Sequence, residues 1–125
     1  MKTLITLTLA LVSGFAQASD WVEIAKTKDK VTVYKLKADS GKVVNGYASV
    51  IITETTKGKI SVQKVSISIS DCLDGFGTAS TWDGTHYFNN NFAFDAGNVG
   101  SRIAEFTCLW AQAQARVDAD KDSKE

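Results

Sequence analysis

The chain has 125 residues, with 14 basic and 14 acidic side chains and a formal net charge of zero. This length suits one domain with a single core, and basic residues that are not interleaved with aromatics argue against nucleic-acid binding. The charge is uneven, with nine basic residues against five acids over 20–64 and four against nine over 65–125. Solvated strand faces and an acidic tail would explain this distribution; a basic strand edge that meets an acidic partner is the alternative.

The first eighteen residues have the pattern of a secretory signal peptide. Lys2 precedes an apolar run over Leu4–Val12, and Ala16-Gln17-Ala18 has the small-x-small form of a cleavage site. The run is too short to span a bilayer as a stable helix, and no later apolar stretch is long enough to do so. We therefore predict an exported protein that begins at Ser19, without a transmembrane segment, and that is periplasmic, cell-surface-associated or secreted.

The first half of the mature chain alternates apolar and polar residues, which predicts antiparallel strands. Short strands are expected over Trp21–Ala25 and Val31–Lys37, and a longer strand over Val43–Thr55. Asp39-Ser40-Gly41 and Lys57-Gly58 are typical turn sequences and separate these strands from their neighbours.

The clearest strand is predicted over Ile60–Cys72, where apolar residues at 65, 67 and 69 alternate with serines. The two apolar residues near its start, Ile60 and Val62, have the opposite parity. A β-bulge at Gln63-Lys64 would bring both apolar sets to one face, because a regular strand must otherwise place one set outward.

A hairpin is predicted where Asp83-Gly84 lies between two aromatic residues, and a last strand ends near Asp95. Alternate side chains of a strand point to opposite faces, so the aromatic residues of this region cannot all be in the core. An exposed aromatic and asparagine hairpin would suit recognition of a protein partner; packing of most of these rings in the core is the alternative. The candidate partner-binding residues are Trp82, Asp83, His86, Tyr87, Asn89 and Asn90.

The apolar period then changes to that of a helix, predicted over Ser101–Val117 with Asn98 or Ser101 as N-cap. One stripe carries large apolar residues, including Phe106 and Trp110, which we expect to pack in the core or against a second copy in a homodimer. Another side carries small residues and can approach a neighbouring element closely. Residues 118–125 are predicted to be a disordered acidic tail.

Export and a total of two cysteines predict a disulfide between Cys72, at the end of a strand, and Cys108, in the helix. Cys72 has the parity of the serines, so either an irregularity precedes it or the serine face lies under the helix. The predicted fold is α+β, with one domain over residues 19–117: a curved antiparallel sheet of five to six strands packed on one C-terminal helix and linked to it by the disulfide.

No set of side chains suggests catalysis, a cofactor or a metal. His86 is the one histidine, and no serine or cysteine close to it in the sequence suggests a nucleophile that it could activate as a general base. A zinc site would need several histidine or cysteine ligands. The acidic run over 118–122 lacks the glycine and the closing glutamate of a calcium loop. Nothing places two of the aspartates at the separation that glycoside hydrolysis requires. We therefore predict no enzymatic activity.

The layout resembles the surface-adhesin protein E-like family of exported bacterial domains. The resemblance rests on Trp21 at the start, on Ser-x-Ser-Asp-Cys over Ser68–Cys72, and on Gly100-Ser101 before a helix that carries Cys108. Val99 stands where a related chain often has proline. The resemblance implies an antiparallel sheet on a C-terminal helix, dimers and, for some members, binding to host extracellular-matrix proteins.

These observations favour an exported, non-enzymatic binding protein of the adhesin E-like kind that recognises a protein partner. A secreted or periplasmic inhibitor of a hydrolase such as lysozyme is the alternative, because small disulfide-linked β domains suit a role in which a loop fills a cleft. Such a loop should protrude and be rigid, whereas an adhesive surface should be broad.

Overall fold

The computed structural model describes residues 21–124, with side chains up to residue 120. The predicted signal peptide, residues 1–18, lies outside the described residues. The α+β fold is confirmed: an antiparallel sheet packs against one long C-terminal helix. The strands are β1 (Trp21–Lys26), β2 (Thr32–Lys37), β3 (Lys42–Val44), β4 (Tyr47–Thr56), β5 (Lys59–Ser68), β6 (Phe76–Trp82) and β7 (Tyr87–Ala93), and the helices are α1 (Ile69–Asp74) and α2 (Val99–Lys124).

The sheet has the strand order β1-β2-β4-β5-β6-β7, and every neighbouring pair is antiparallel. The short strand β3 pairs with the first residues of β4, and β2 pairs with the later residues of β4 on the same side. The sheet thus has seven strands, one more than the upper expectation. The extra strand arises because Asn45 and Gly46, both with positive φ, make a tight turn within the segment expected to be one strand.

The small side of α2, expected to approach a neighbouring element closely, is the side that packs on the sheet. Ala104, Cys108 and Ala111 are fully buried there against apolar residues of the central strands. Gly41 extends this close approach to the loop after β2, because a Cβ at this position would lie 3.0 Å from the Trp110 carbonyl oxygen of α2. The buried core residues are Ile24, Ala25, Leu36, Ala48, Val50, Ile52, Val65, Ile67, Cys72, Ala79, Phe92, Ala104, Cys108 and Ala111.

The large apolar stripe of α2 lies at the border of this core rather than inside it. Phe106 and Trp110 are half-buried and pack against the core, and the Trp110 Nε1–H donates to the Ala38 carbonyl oxygen at 2.9 Å. Val117, farther along the same stripe, and Leu109, beside the stripe, are exposed. The expectation that Phe106 and Trp110 are core residues is therefore met only in part, because the small side takes the position over the sheet.

The prediction of a β-bulge at Gln63-Lys64 is wrong. β4 and β5 pair without a break from Tyr47↔Ser68 to Thr56↔Lys59, so Ile60 and Val62 remain on the face opposite the core. Both side chains are more than half exposed. The bulge of this sheet lies in β1, between Glu23 and Ala25.

Cys72 lies in the short helix α1, not at the end of a strand. The Ser68 hydroxyl accepts the Asp71 N–H at 3.2 Å and caps α1, and Gly75 ends it in the left-handed conformation. This irregularity moves Cys72 out of the serine parity and brings its Cα to 5.6 Å from that of Cys108, with the disulfide formed. The expected link between strand and helix is therefore a link between two helices.

Asn98 caps α2, because its Oδ1 accepts the Ser101 N–H at 2.8 Å. The helix continues to Lys124, through most of the segment predicted to be a disordered tail. No glycine or proline follows Val117 to stop it. Neither described helix is long and apolar enough to cross a bilayer.

Candidate functional site

The β6–β7 hairpin turns through the four residues Asp83–His86, and the Asp83 side chain holds this loop in place. One carboxylate oxygen accepts the backbone N–H groups of His86 at 2.7 Å and Thr85 at 2.8 Å. These two hydrogen bonds stabilise the ionised carboxylate and lower the pKa of Asp83 below its ordinary value of 3.8, and the bond from His86 has the larger effect. Gly84 has a φ of 100°, which explains the glycine at this point of the turn.

Trp82 and Tyr87 face each other across the end of this hairpin. Their ring centroids are 4.5 Å apart, with planes inclined at 38°. Trp82 is half-buried, whereas Tyr87 is 71 % exposed, so Tyr87 has no place in the core. The predicted hairpin is confirmed, and the two aromatic residues that flank its turn contact each other.

The pair belongs to the face of the sheet opposite α2, which we call the open face. The strand register places Ile51, Lys64, Trp82 and Tyr87 in one row across four strands. Neither described helix covers this row, because α2 lies on the other face and the disulfide holds α1 to α2. The open face also carries Lys35, Lys37, Lys42, Ser49, Val62, Ser66, Ser80 and Asn89.

The structure does not bring all six predicted partner-binding residues together. Trp82, Tyr87 and Asn89 share the open face, because residues paired across antiparallel strands and residues two apart lie on the same side. Asn90 lies on the other face, together with Phe88, whose ring centroid is 6.3 Å from that of His86. Asp83 shapes the turn between them.

A groove on the helix side was not anticipated from the sequence. It has a volume of about 670 Å³ and lies between the sheet and the first turn of α2. Gln63 Nε2 lies 3.5 Å from a Glu54 carboxylate oxygen and 3.3 Å from the Ser61 hydroxyl oxygen in its wall. The pKa of the Tyr34 hydroxyl is raised above its ordinary value of 10.0, mainly because the side chain is partly buried and, to a smaller extent, because of the nearby Glu54 carboxylate.

Sequence patterns could not have located this groove, because its residues come from five strands, the β6–β7 loop and one helix. Its lining carries two acids and no basic side chain. The lining residues are Tyr34, Ile52, Glu54, Ser61, Gln63, Val65, Ala79, Thr81, Asp83, Phe88, Asn90, Val99, Gly100 and Ile103.

Within residues 21–120, no three side chains of the types that bind metal ions lie together. Comparison of the chain with models of known protein families, with curated proteins and with solved structures finds no match. The resemblance to the adhesin E-like family therefore stays a prediction.

Proposed function

We propose that this chain is an exported, non-enzymatic binding protein, of the kind that the surface-adhesin protein E-like resemblance implies, and that it recognises a protein partner through its open face. The observation that carries the proposal is the contact pair Trp82 and Tyr87, which lies on a sheet face that no described helix covers. Large aromatic side chains at such positions dominate the binding energy of many protein interfaces.

The surroundings of this pair have the composition of an interface. Val62 contributes exposed apolar area on the same face, and serine and asparagine side chains supply hydrogen-bonding groups around it. An apolar centre with a polar rim is the usual anatomy of a surface that binds another protein.

The charge of the open face favours an acidic partner surface. Two carboxylates lie beside the lysines of this face: Glu23 forms an ion pair with Lys26 at 3.8 Å, and Asp39, in the loop after β2, forms one with Lys37 at 4.0 Å. Complementary charges steer association and add specificity more than affinity. The lysines of the open face are Lys26, Lys35, Lys37, Lys42 and Lys64, which outnumber these two carboxylates.

Export is the second part of the proposal. The Cys72–Cys108 disulfide is expected in an oxidising compartment and is rare in the cytoplasm. The sequence pattern of the first eighteen residues supports the same location.

The binding test uses purified protein against a panel of extracellular-matrix proteins and lysozymes, with the dissociation constant of each captured partner then measured. Trp82→Ala and Tyr87→Ala should each weaken binding by about 1–2 kcal/mol or more, which corresponds to about 5–30-fold. Phe88→Ala is the matched control, because Phe88 is a half-exposed neighbour on the other face of the same strand. Unfolding followed by circular dichroism should show that the open-face variants keep their fold.

Full binding by a well-folded Trp82→Ala, Tyr87→Ala double variant would overturn the proposed surface. The lysine-rich strands of residues 26–64 would then be the next candidate binding surface. A loss of binding that only follows a loss of fold would instead assign the two rings a structural role.

Inhibition of a hydrolase is the second candidate, favoured by one observation. The loop Asp83–His86 is exposed at its tip, and the Asp83 carboxylate fixes it with two hydrogen bonds. A lysozyme activity assay with Gly84→Ala and Thr85→Ala variants separates the two functions. An inhibitor should lose potency through these loop variants, whereas a partner of the open face should be insensitive to Thr85→Ala.

A further inference from the structure

A gap in the sheet opens between β2 and β3, which pair with different parts of β4. β2 pairs with β4 from Ile52 onward and β3 pairs with it up to Ser49, so no described strand pairs with the two residues between them on this side. The loop between β2 and β3 bridges the gap. In this loop the Ser40 hydroxyl donates to the Lys37 carbonyl oxygen at 2.7 Å and accepts the Ile51 N–H at 2.8 Å. These two bonds fix the loop against β4 beside a pocket of about 330 Å³.

The pocket lies on the open face, because the strand register places Ser49 and Lys64 opposite the core. Its lining carries three lysine ammonium groups and one carboxylate. The carboxylate, that of Asp39, lies 4.0 Å from Lys37 Nζ. Within the described residues, no carboxylate forms an ion pair with the other two lysines, Lys42 and Lys64. The pocket therefore presents two positive charges without a counter-charge from the protein.

Ser49 provides a second, independent sign of a ligand in the same pocket. This residue is only 9 % exposed, yet none of the described residues forms a hydrogen bond with its hydroxyl. Among the described residues, no polar side-chain atom is both sealed from solvent and unpaired, so the hydroxyl reaches the space of the pocket. A largely buried hydroxyl without a protein partner is unusual, because burial of an unpaired polar group costs free energy. A bound group that accepts the Ser49 O–H would supply the missing partner.

We propose that this pocket binds a doubly charged oxyanion, the form of inorganic sulfate, inorganic phosphate and phosphate monoesters. Two unpaired ammonium groups match the charge of a dianion, and lysine binds such groups as a point charge. The Ser49 hydroxyl can donate to one of the anion's oxygens. The inference goes beyond the proposed function, because binding of a protein by Trp82 and Tyr87 needs neither this pocket nor an anion.

The first test follows the backbone amide signals of the protein in NMR titrations at about pH 7.5, where phosphates are mainly dianions. Sodium chloride at the same ionic strength is the reference, because screening alone changes the signals of a charged surface. The amides of Ser40, Lys42, Ser49 and Ile51 should shift and saturate with sulfate and phosphate. Acetate, which carries one charge, should bind more weakly than either.

Methyl phosphate distinguishes the two sources of such an anion. Binding as tight as that of inorganic phosphate would assign the pocket to a phosphate group carried by a larger molecule. Binding of the inorganic ions alone would assign it to a free ion.

Matched variants locate the site. Lys64→Gln should weaken sulfate binding by about fivefold or more, because one charge near the dianion is lost. Lys35→Gln is the control, since Lys35 is on the same face and does not line the pocket. Ser49→Ala should weaken binding by about threefold or more without lowering Tm, because its hydroxyl has no protein partner to lose. Ser66→Ala, at the position paired with Ser49 on β5, should bind like the wild type.

Equal shifts in sulfate and in chloride of the same ionic strength would overturn the proposal without any variant. So would unchanged sulfate affinity in Lys64→Gln, or an equal loss in Lys64→Gln and Lys35→Gln, which would assign the effect to the overall charge of the face. Tyr87→Ala should bind sulfate like the wild type. Failure of the pocket and failure of the proposed protein-binding surface are therefore separate results.

Discussion

Asp83 is the residue on which the conformation of the β6–β7 loop depends most directly. Its carboxylate accepts two loop N–H groups, and these bonds are strongest when the carboxylate is ionised. The protein thus uses an aspartate in the loop as a turn-former, a role that sequence alone could not separate from partner binding.

The pH dependence of unfolding should reveal this role. The pKa of Asp83 is lower in the folded chain than its ordinary value of 3.8, so its contribution is present above that value and is lost as the pH falls through the folded pKa. Between about pH 5 and about pH 2, Tm should fall less in Asp83→Ala than in the wild type. Asp83→Asn keeps an acceptor oxygen, so at neutral pH its Tm should lie between those of Asp83→Ala and the wild type. Parallel Tm profiles for wild type and Asp83→Ala would contradict this role.

Substitution of Trp110 tests how much a residue at the border of the core contributes to the free energy of unfolding. It is half-buried, packs against the core and donates its indole N–H to the Ala38 carbonyl oxygen. We expect Trp110→Ala to lower the free energy of unfolding by about 3 kcal/mol, the lower end for large aromatic truncations. Trp110→Phe should cost about 1 kcal/mol, mainly through the lost hydrogen bond. Denaturant unfolding measures both values, and an unchanged midpoint for Trp110→Ala would refute a core contribution.

At the scale of elements, α2 is defined by a difference in side-chain size between its two apolar sides. The small side, with Ala111 fully buried, lies over the sheet, whereas Leu109 on the outer side is exposed. Small residues allow the helix backbone to approach the strands, and larger ones would force the two layers apart.

Matched alanine substitutions separate the two sides. Ala111→Leu should destabilise the protein by about 1–3 kcal/mol or more, because added atoms in a close-packed interface cause overpacking. Ala113→Leu is the control, since Ala113 is exposed on the same helix, and it should change the free energy of unfolding by less than about 0.5 kcal/mol. Thermal unfolding of both variants is the measurement, and equal effects would contradict the assignment of faces.

The disulfide joins the two helices across a sequence separation of 36 residues. On the chain-entropy argument its loss should cost about 3–4 kcal/mol, because the unfolded chain gains conformational freedom. Native protein should show no titratable thiol, and its Tm should fall in reductant. The Cys72→Ser, Cys108→Ser double variant should reproduce the reduced protein. A thiol that reacts freely in the native oxidised protein would contradict the bond.

At the scale of the whole molecule, the sheet has two unlike faces and two unlike edges. One face carries α2 and the core, and the other carries Trp82, Tyr87 and the lysines of the open face. One edge strand, β1, has a bulge and charged residues, whereas the other, β7, has an unbroken register with its neighbour and no charged residue. The two rings thus lie at the β7 end of the open face, and its lysines lie on the strands from β1 to β5.

Export should be visible in the processing of the full chain. Expressed in a bacterium with its first eighteen residues, the protein should be recovered outside the cytoplasm with Ser19 as its first residue, because the signal peptide is removed during secretion. Intact-mass measurement and N-terminal sequencing check this. A chain with lysine residues in place of Leu9 and Leu11 is the control and should stay in the cytoplasm uncleaved. An unprocessed wild-type chain in the cytoplasm would contradict export.

Much of the fold could be predicted from local patterns. Period-two alternation indicated the strands, Asp83-Gly84 indicated the hairpin, and the helical period after Asn98 indicated α2 with its small side. These features depend on residues close together in the chain. The turn at Asn45-Gly46 carried a local signal too, an asparagine-glycine pair with positive φ, which the apolar pattern around it obscured.

Tertiary structure alone decided the rest. From the sequence we expected a bulge to bring Ile60 and Val62 to the core face, but the unbroken pairing of β4 and β5 keeps them with the serines, and the covering of the other face by α2 leaves them exposed. The groove and the position of β7 at the edge of the sheet likewise depend on which strands pair and in which register. Periodicity specifies which side chains point the same way, whereas burial depends on what packs against them, and that is fixed by contacts between residues far apart in the chain.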